Sequence, residues 1–176
     1  TELARRVYAD RATYLGDPDF VEIDIPRLTS DEFVSARMAT IDMGSATPSE
    51  EVRPGTVEVI ESVETTHYSI VDKDGNAVSV TTTLNGMFGS KLVVKEAGFF
   101  LNNEMDDFSI KPGHPNQFGL VGAEENAIQP EKRMLSSMTP TILEKDGDLF
   151  MVVGSPGGST IITSVFQSIL HVIALL

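Results

Sequence analysis

The chain has 176 residues, 41% of them apolar, which is enough for a core of ordinary size and too much for disorder. Its 26 acidic residues outnumber 13 basic ones, and the net charge of -13 repels a phosphate backbone, so nucleic acid is set aside as a partner. The absence of cysteine excludes disulfides, thiolate metal sites and a cysteine nucleophile.

In chain order, Leu3, Val7, Ala12 and Leu15 fall at helical spacing among charges, and the turn chemistry of GDPD at 16–19 ends that helix. Thr29 or Ser30, followed by Asp31 and Glu32, offers an N-cap with acids in the first turn and opens a second helix to about Thr40. Residues 43–64 hold prolines, glycine and alanine breaks and several acids with no sustained period, and they read as an exposed connector. The period then becomes two. Tyr68 to Val71 and Ala77 to Leu84 flank KDGN and predict a hairpin whose Asp74-Gly75-Asn76 turn tolerates positive φ. Thr141 to Leu143 and Leu149 to Val153, around Lys145-Asp146-Gly147-Asp148, predict a second hairpin. Gly98 to Leu101 is a further short strand. Residues 109–133 form a long loop, of a length that in compact domains is functional or disordered. Gly157 and Gly158 open an apolar helix from Thr160 to Leu176. This is an α+β pattern without an internal repeat. The apolar run at 165–176 is too short and interrupted to span a bilayer, and the first residues lack the basic-then-apolar order of a leader. Both ends fall inside helical patterns without capping residues, so the chain is expected to be a fragment of a longer protein.

Several junctions could carry chemistry. At Glu64-Thr65-Thr66-His67 a hydroxyl sits where the acidic connector meets the first strand. A threonine there becomes a nucleophile if the chain is cut just before it, because its freed α-amine, titrating near pH ~8, then lies beside its own hydroxyl as a base. Threonine is equally an ordinary strand residue, so the local pattern alone decides nothing. The run GSPGGS at 154–159 joins a strand to a helix, where backbone N–H groups can bind an anion or form an oxyanion hole; it lacks the Lys-Ser/Thr of a phosphate loop. Asn102 to Asp107 clusters three acids after a strand. It has no nearby histidine and no EF-hand spacing, and reads either as a solvated turn or as a holder of a substrate ammonium group. Ser136-Ser137 is a polar pair in an apolar setting. His67 reads as orienting or structural and His171 as packed in the core; no serine-triad elbow occurs.

Taken together and in order, TTHYSIVDKDGNAVSVTTTLN, LNNEMDDFS, KRMLSSMTPT and GSPGGS closely resemble the small-subunit half of gamma-glutamyltranspeptidases. Upstream, YADRATYLGDPDFV and the RPG before the junction resemble the end of that family's large subunit. The resemblance implies an Ntn-hydrolase αββα sandwich, present here only in part. Residues 1–64 would belong to the large subunit and its connector, and residues 65–176 to the truncated small subunit. It implies self-cleavage at Glu64-Thr65, with Thr65 as nucleophile toward glutathione and related gamma-glutamyl amides and water, amino acids or peptides as acceptors. Thr83 would assist the nucleophile, and Gly157 and Gly158 would form the oxyanion hole. Asn85, Glu104 and Asp107 would hold the substrate's α-ammonium, Ser136 and Ser137 would lie near its α-carboxylate, and the loop from Pro112 to about Ala123 would be a lid carrying Phe118. No cofactor or metal is expected. The partners expected are the rest of both subunits, and the compartment expected is the periplasm or the exterior. An arginine that clamps the α-carboxylate lies outside the chain, and the Thr65 nitrogen is still an amide, so the uncut fragment is expected to be inactive. The acids at 104 and 107 argue against a glutaryl acylase of the same fold, whose substrate has no ammonium to hold. A non-catalytic amino-acid binder is the alternative from another class.

Overall fold

The computed structural model describes residues 2–49, 51–52, 64–117 and 119–175. Its contacts divide into two compact units that interleave along the chain: Thr1–Val59 with Met105–Leu135, and Ile60–Glu104 with Ser136–Leu176. Most of the connector, residues 53–63, lies outside the described residues.

In the first unit the predicted N-terminal helix is α1, Glu2–Tyr14. Its Arg6 is 2% exposed, and a guanidinium so buried needs partners on every side. It donates to Thr40 Oγ1 at 2.6 Å, to the Thr40 carbonyl at 2.6 Å and to Glu2 at 2.8 Å. Hydrogen bonds from Arg6, Thr47 and Arg5 hold the Glu2 carboxyl down to about 2. A four-residue helix, α2 (Ile25–Leu28), precedes α3 (Asp31–Met38) and was not anticipated. Asp24 caps α2 through the Arg27 N–H, and Ser30 rather than Thr29 caps α3 through the Phe33 N–H at 3.2 Å.

The GDPD turn does more than end α1. The Asp17 side chain, 1% exposed, accepts the Arg133 backbone N–H at 2.8 Å and its Nε at 3.0 Å, closing a span of 116 residues. That pairing holds the Asp17 carboxyl well below the usual range. The long loop after residue 108 is ordered by its own backbone. Gly113 N–H donates to Gly122 O and Asn116 N–H to Leu120 O, each at 2.9 Å, and Pro115 bridges Val121. A 3₁₀ turn at Glu124–Asn126 follows. Ala123 N–H fastens the loop's base to the Ala12 carbonyl at 3.2 Å.

The second unit holds three antiparallel pairs. β1 (Thr66–Val71) and β2 (Ala77–Thr82) pair from Thr66↔Thr82 to Val71↔Ala77. Asp72 organises their turn by accepting the N–H groups of Asp74 and Asn76, and of the turn residues only Gly75 takes positive φ. β3 (Val93–Val94) pairs with β4 (Phe99–Phe100). β5 (Thr141–Lys145) and β6 (Asp148–Val153) close through Asp146 (φ 57°) and Gly147 (φ 90°), two successive positive-φ residues that match the strand twist. Ser79 Oγ of β2 donates to the Val153 carbonyl of β6 at 3.3 Å. A 3₁₀ turn, Gly158–Thr160, leads into α4 (Ile161–Ala174), which buries Ile161 and Val165. No described helix is long and apolar enough to cross a membrane.

Candidate active site

Thr65 stands immediately before β1 and is buried. Continuing the register one step beyond Thr66↔Thr82 sets it opposite Thr83. The Thr83 hydroxyl is held from two sides. It accepts the Asn85 N–H at 2.9 Å and reaches the Glu64 carbonyl at 3.5 Å, the outer limit of a hydrogen bond. The only side-chain hydroxyl bonded to the carbonyl of the Glu64-Thr65 peptide, among the described residues, is therefore that of Thr83.

Asn85 is buried and sits at φ 71°, a conformation its short polar side chain tolerates. Its Nδ2 donates to the Asn103 carbonyl at 3.2 Å, while Asn103 Oδ1 accepts the Gly86 N–H at 2.8 Å and Asn103 N–H donates to Leu84 O. Nearby, a Cβ on Gly89 would lie 2.2 Å from the Leu101 carbonyl, so only glycine permits this approach. Reciprocal bonds between the chain after β2 and the chain after β4 thus fix Asn85. Asn103 was not singled out from the sequence, although its place two residues after a strand and beside Glu104 was the available signal.

Glu104 opens a 3₁₀ turn, Glu104–Asp107, with its N–H donating to Asn102 Oδ1 at 3.0 Å. It is half-buried, and burial pushes its carboxyl pKa up. Ser136 and Ser137 follow Leu135, with Ser136 Oγ accepting the Met138 N–H at 3.1 Å. Gly157 (φ 128°) takes a backbone conformation that L side chains rarely adopt, and a Cβ there would meet Thr160 Oγ1 at 2.9 Å; Gly158 (φ 54°) lies in the left-handed region that favours glycine. Glu104, Ser136, Ser137, Gly157 and Gly158 belong to the second unit; Asp107, Leu135 and the loop from Pro112 belong to the first. Phe118 lies outside the described residues. Two residues of the first unit escaped the sequence reading as positioning groups. Asp106 accepts the Gln117 N–H at 3.1 Å, and Asn126 bonds both Asp107 and Leu135.

The histidines separate. His67 has both ring nitrogens on hydroxyls, Thr81 Oγ1 at 2.8 Å and Ser69 Oγ at 3.0 Å, and its ring fills the space where Gly154 would carry a Cβ. It orients the strands. His171 is not packed in the core as expected from its apolar neighbours: it is exposed on α4, with Nδ1 against the Gln167 carbonyl at 2.8 Å. Among the described residues no three His, Asp or Glu side chains are grouped to hold a metal ion.

Comparison with known proteins matches these features. The profile of the gamma-glutamyltranspeptidase family covers residues 1–175. The glutathione hydrolase proenzyme of Pseudomonas aeruginosa is 57% identical over 166 residues, 94% of this chain and 29% of the relative; that of Escherichia coli is 55% identical over 170 residues, 97% and 29%. Among solved structures, a mutant of Helicobacter pylori gamma-glutamyltranspeptidase gives a TM-score of 0.61 at 62% identity, covering 62% of this chain and 59% of that one. The Pseudomonas nitroreducens enzyme complexed with L-DON gives 0.61 at 63%, covering 62% and 57%. The fold is that of the Ntn-hydrolases, an α+β architecture of which this chain carries part. The chain belongs to the gamma-glutamyltranspeptidase family, and it spans 29% of the length of the first two relatives named.

Proposed function

We propose that this chain is the processing and nucleophile segment of a glutathione hydrolase proenzyme, which cuts itself between Glu64 and Thr65 and then transfers gamma-glutamyl groups. Residues 1–64 would end the large subunit and residues 65–176 would begin the small one, the two remaining associated with the rest of the protein.

The observation that carries this reading is the Thr83 hydroxyl, fixed by the Asn85 N–H and directed at the Glu64 carbonyl. In the cut, Thr65 Oγ adds to the Glu64 carbonyl carbon, and negative charge grows on the oxygen that Thr83 faces. The peptide C–N bond breaks, the hydroxyl proton ends on the Thr65 nitrogen, and water hydrolyses the resulting ester to a Glu64 carboxylate. Thr65 then carries a free α-amine that can take the proton from its own hydroxyl. In turnover Thr65 Oγ attacks the gamma-carbonyl of glutathione or a related amide, and backbone N–H groups around Gly157 and Gly158 receive the oxyanion. The amine leaves, and the gamma-glutamyl ester passes to water or to an amino acid or peptide amine. Asn85, Glu104 and Asp107 would hold the donor's α-ammonium, and Ser136 and Ser137 its α-carboxylate. Raising the pKa of Glu104 is the cost of partial burial, which a bound ammonium would offset. The lid would carry Phe118 over the donor. Before the cut the Thr65 nitrogen is an amide and cannot act as base, so the uncut chain turns nothing over.

Intact mass measurement of the full-length protein beside Thr65→Ala tests this. The wild type is expected to yield a chain beginning at Thr65 and to release anilide from a gamma-glutamyl anilide, and Thr65→Ala to stay uncut and inactive. A single uncut wild-type band, or a Thr65→Ala protein that is cut and active, would overturn it.

A further inference from the structure

Asn85-Gly86 is the only Asn-Gly pair in the sequence. In an unstructured chain such a pair is chemically unstable: the nitrogen of the second residue can attack the asparagine Cγ, and glycine has no side chain to hinder it. Here both nitrogens of that reaction are held by one residue. The Gly86 N–H, the nucleophile of the reaction, donates to Asn103 Oδ1 at 2.8 Å, and Asn85 Nδ2, its leaving group, donates to the Asn103 carbonyl at 3.2 Å. Asn103 is itself tied down by its N–H, which donates to the Leu84 carbonyl at 3.2 Å. Glycine also lets the clamp come close, since a Cβ on Gly86 would lie 3.3 Å from Asn103 Oδ1 and 3.4 Å from its Nδ2. On its other side Asn85 is buried, with its N–H fixed on Thr83 Oγ1 at 2.9 Å. All of these residues lie in the second unit.

We propose that Asn85-Gly86 is a deamidation site held shut by the Asn103 side chain. In the reaction the Gly86 nitrogen loses its proton and forms a bond to Asn85 Cγ; the Cγ–Nδ2 bond breaks, and Nδ2 takes up a proton and leaves as ammonia. Water then opens the succinimide at either carbonyl, leaving aspartate or isoaspartate at position 85. Two features of the clamp oppose the first step. The Gly86 N–H points at an oxygen, so removing its proton sets a nitrogen anion against the negative end of the Asn103 amide dipole. Ring closure also turns the 85–86 peptide and the Asn85 side chain towards each other, which disturbs both bonds to Asn103. Isoaspartate would lengthen the main chain by a carbon between the Asn85 N–H that anchors the Thr83 hydroxyl and the Gly86 N–H that Asn103 holds, loosening both anchors.

The test incubates full-length protein at mildly alkaline pH and maps position 85 by peptide mass and isoaspartate content. Folded wild type is expected to deamidate there at least about tenfold more slowly than the same protein unfolded in urea, since only locally opened molecules react. Asn103→Ala removes the Gly86 acceptor and should react about tenfold faster than folded wild type, the factor expected from one lost hydrogen bond. Asn103→Asp keeps an acceptor at the same volume and should stay within about threefold of wild type. Ile161→Val loosens the core of the same unit without touching the clamp and should also stay within about threefold, which separates guarding from a general loss of stability. Equal rates in folded and urea-unfolded wild type would overturn the proposal whether or not Asn103→Ala folds. So would a rate in Asn103→Ala within about threefold of wild type, or an equal acceleration in Asn103→Asp or Ile161→Val. Neither self-cleavage nor turnover is read, so failure of the proposed function leaves this outcome intact.

Discussion

Replacing Thr83 by valine removes one hydroxyl at nearly constant shape, and its effect can be divided between two partners. The Asn85 N–H loses its 2.9 Å acceptor; for a buried donor that costs about 1–3 kcal/mol of stability. The Glu64 carbonyl loses a contact of 3.5 Å, which is worth little in the uncut ground state. It matters when charge develops on that oxygen, where a positioned donor contributes about 3 kcal/mol, so the cut is expected to slow about a hundredfold. Thr83→Ser keeps the hydroxyl but frees χ1, and should stay within about tenfold of wild type. The assay follows the appearance of the chain beginning at Thr65 by intact mass, after purification of uncut full-length protein in the cold. Melting curves of the uncut forms separate the stability loss from the rate loss. If Thr83→Val is cut within about threefold of the wild-type rate, Thr83 does not stabilise the oxyanion of processing and the reasoning fails.

Glu104 offers a test of opposite sign in stability and function. Burial raises its folded pKa, so the protein is penalised for ionising it: its contribution is most favourable below the ordinary carboxylate pKa and is lost as pH rises through the raised one. Glu104→Gln should therefore melt higher than wild type near pH 7, match it near pH ~3.5, and bind gamma-glutamyl donors more weakly; an unchanged difference between the two pH values would refute the linkage. Asp106 tethers the 112–122 loop through the Gln117 N–H at 3.1 Å and through its own carbonyl, which accepts Asn116 Nδ2 at 3.2 Å. Asp106→Ala deletes the carboxylate contact and should speed chymotryptic cutting after Phe118 or Leu120 about fivefold, while Asp106→Asn, which keeps an acceptor, should not.

What the sequence disclosed followed periodicity and turn chemistry. The first helix, the Ser30 cap and both long hairpins were legible because each is set by neighbours within a few positions. α2 was missed because four residues hold barely one turn, and β3 because a two-residue strand has no period to read. The order within the 109–133 loop rests on backbone bonds such as Gly113 to Gly122, which leave little mark on residue type. His171 was misjudged because apolar neighbours on a helix do not say which way one residue faces. The site was legible as a set of motifs in order. Its supports were not: Asn103, Asp106 and Asn126 act through single side chains bonded to backbone far along the sequence, and an isolated asparagine or aspartate in a loop looks the same whether it is solvated or buried.

The Asp17–Arg133 pair has a consequence for how the chain folds during synthesis. The β1–β2 and β5–β6 hairpins need only local closure, which takes microseconds once their residues are free. The first unit cannot be completed in that way, because its GDPD turn waits for a partner 116 residues downstream. At about 5–20 residues per second, that interval is roughly 6–23 s, during which α1 stands without residues 105–135, whose Ala123 N–H bonds its Ala12 carbonyl. β1 to β4 of the second unit are made in the interval, so the Glu64-Thr65 junction emerges long before the first unit can close.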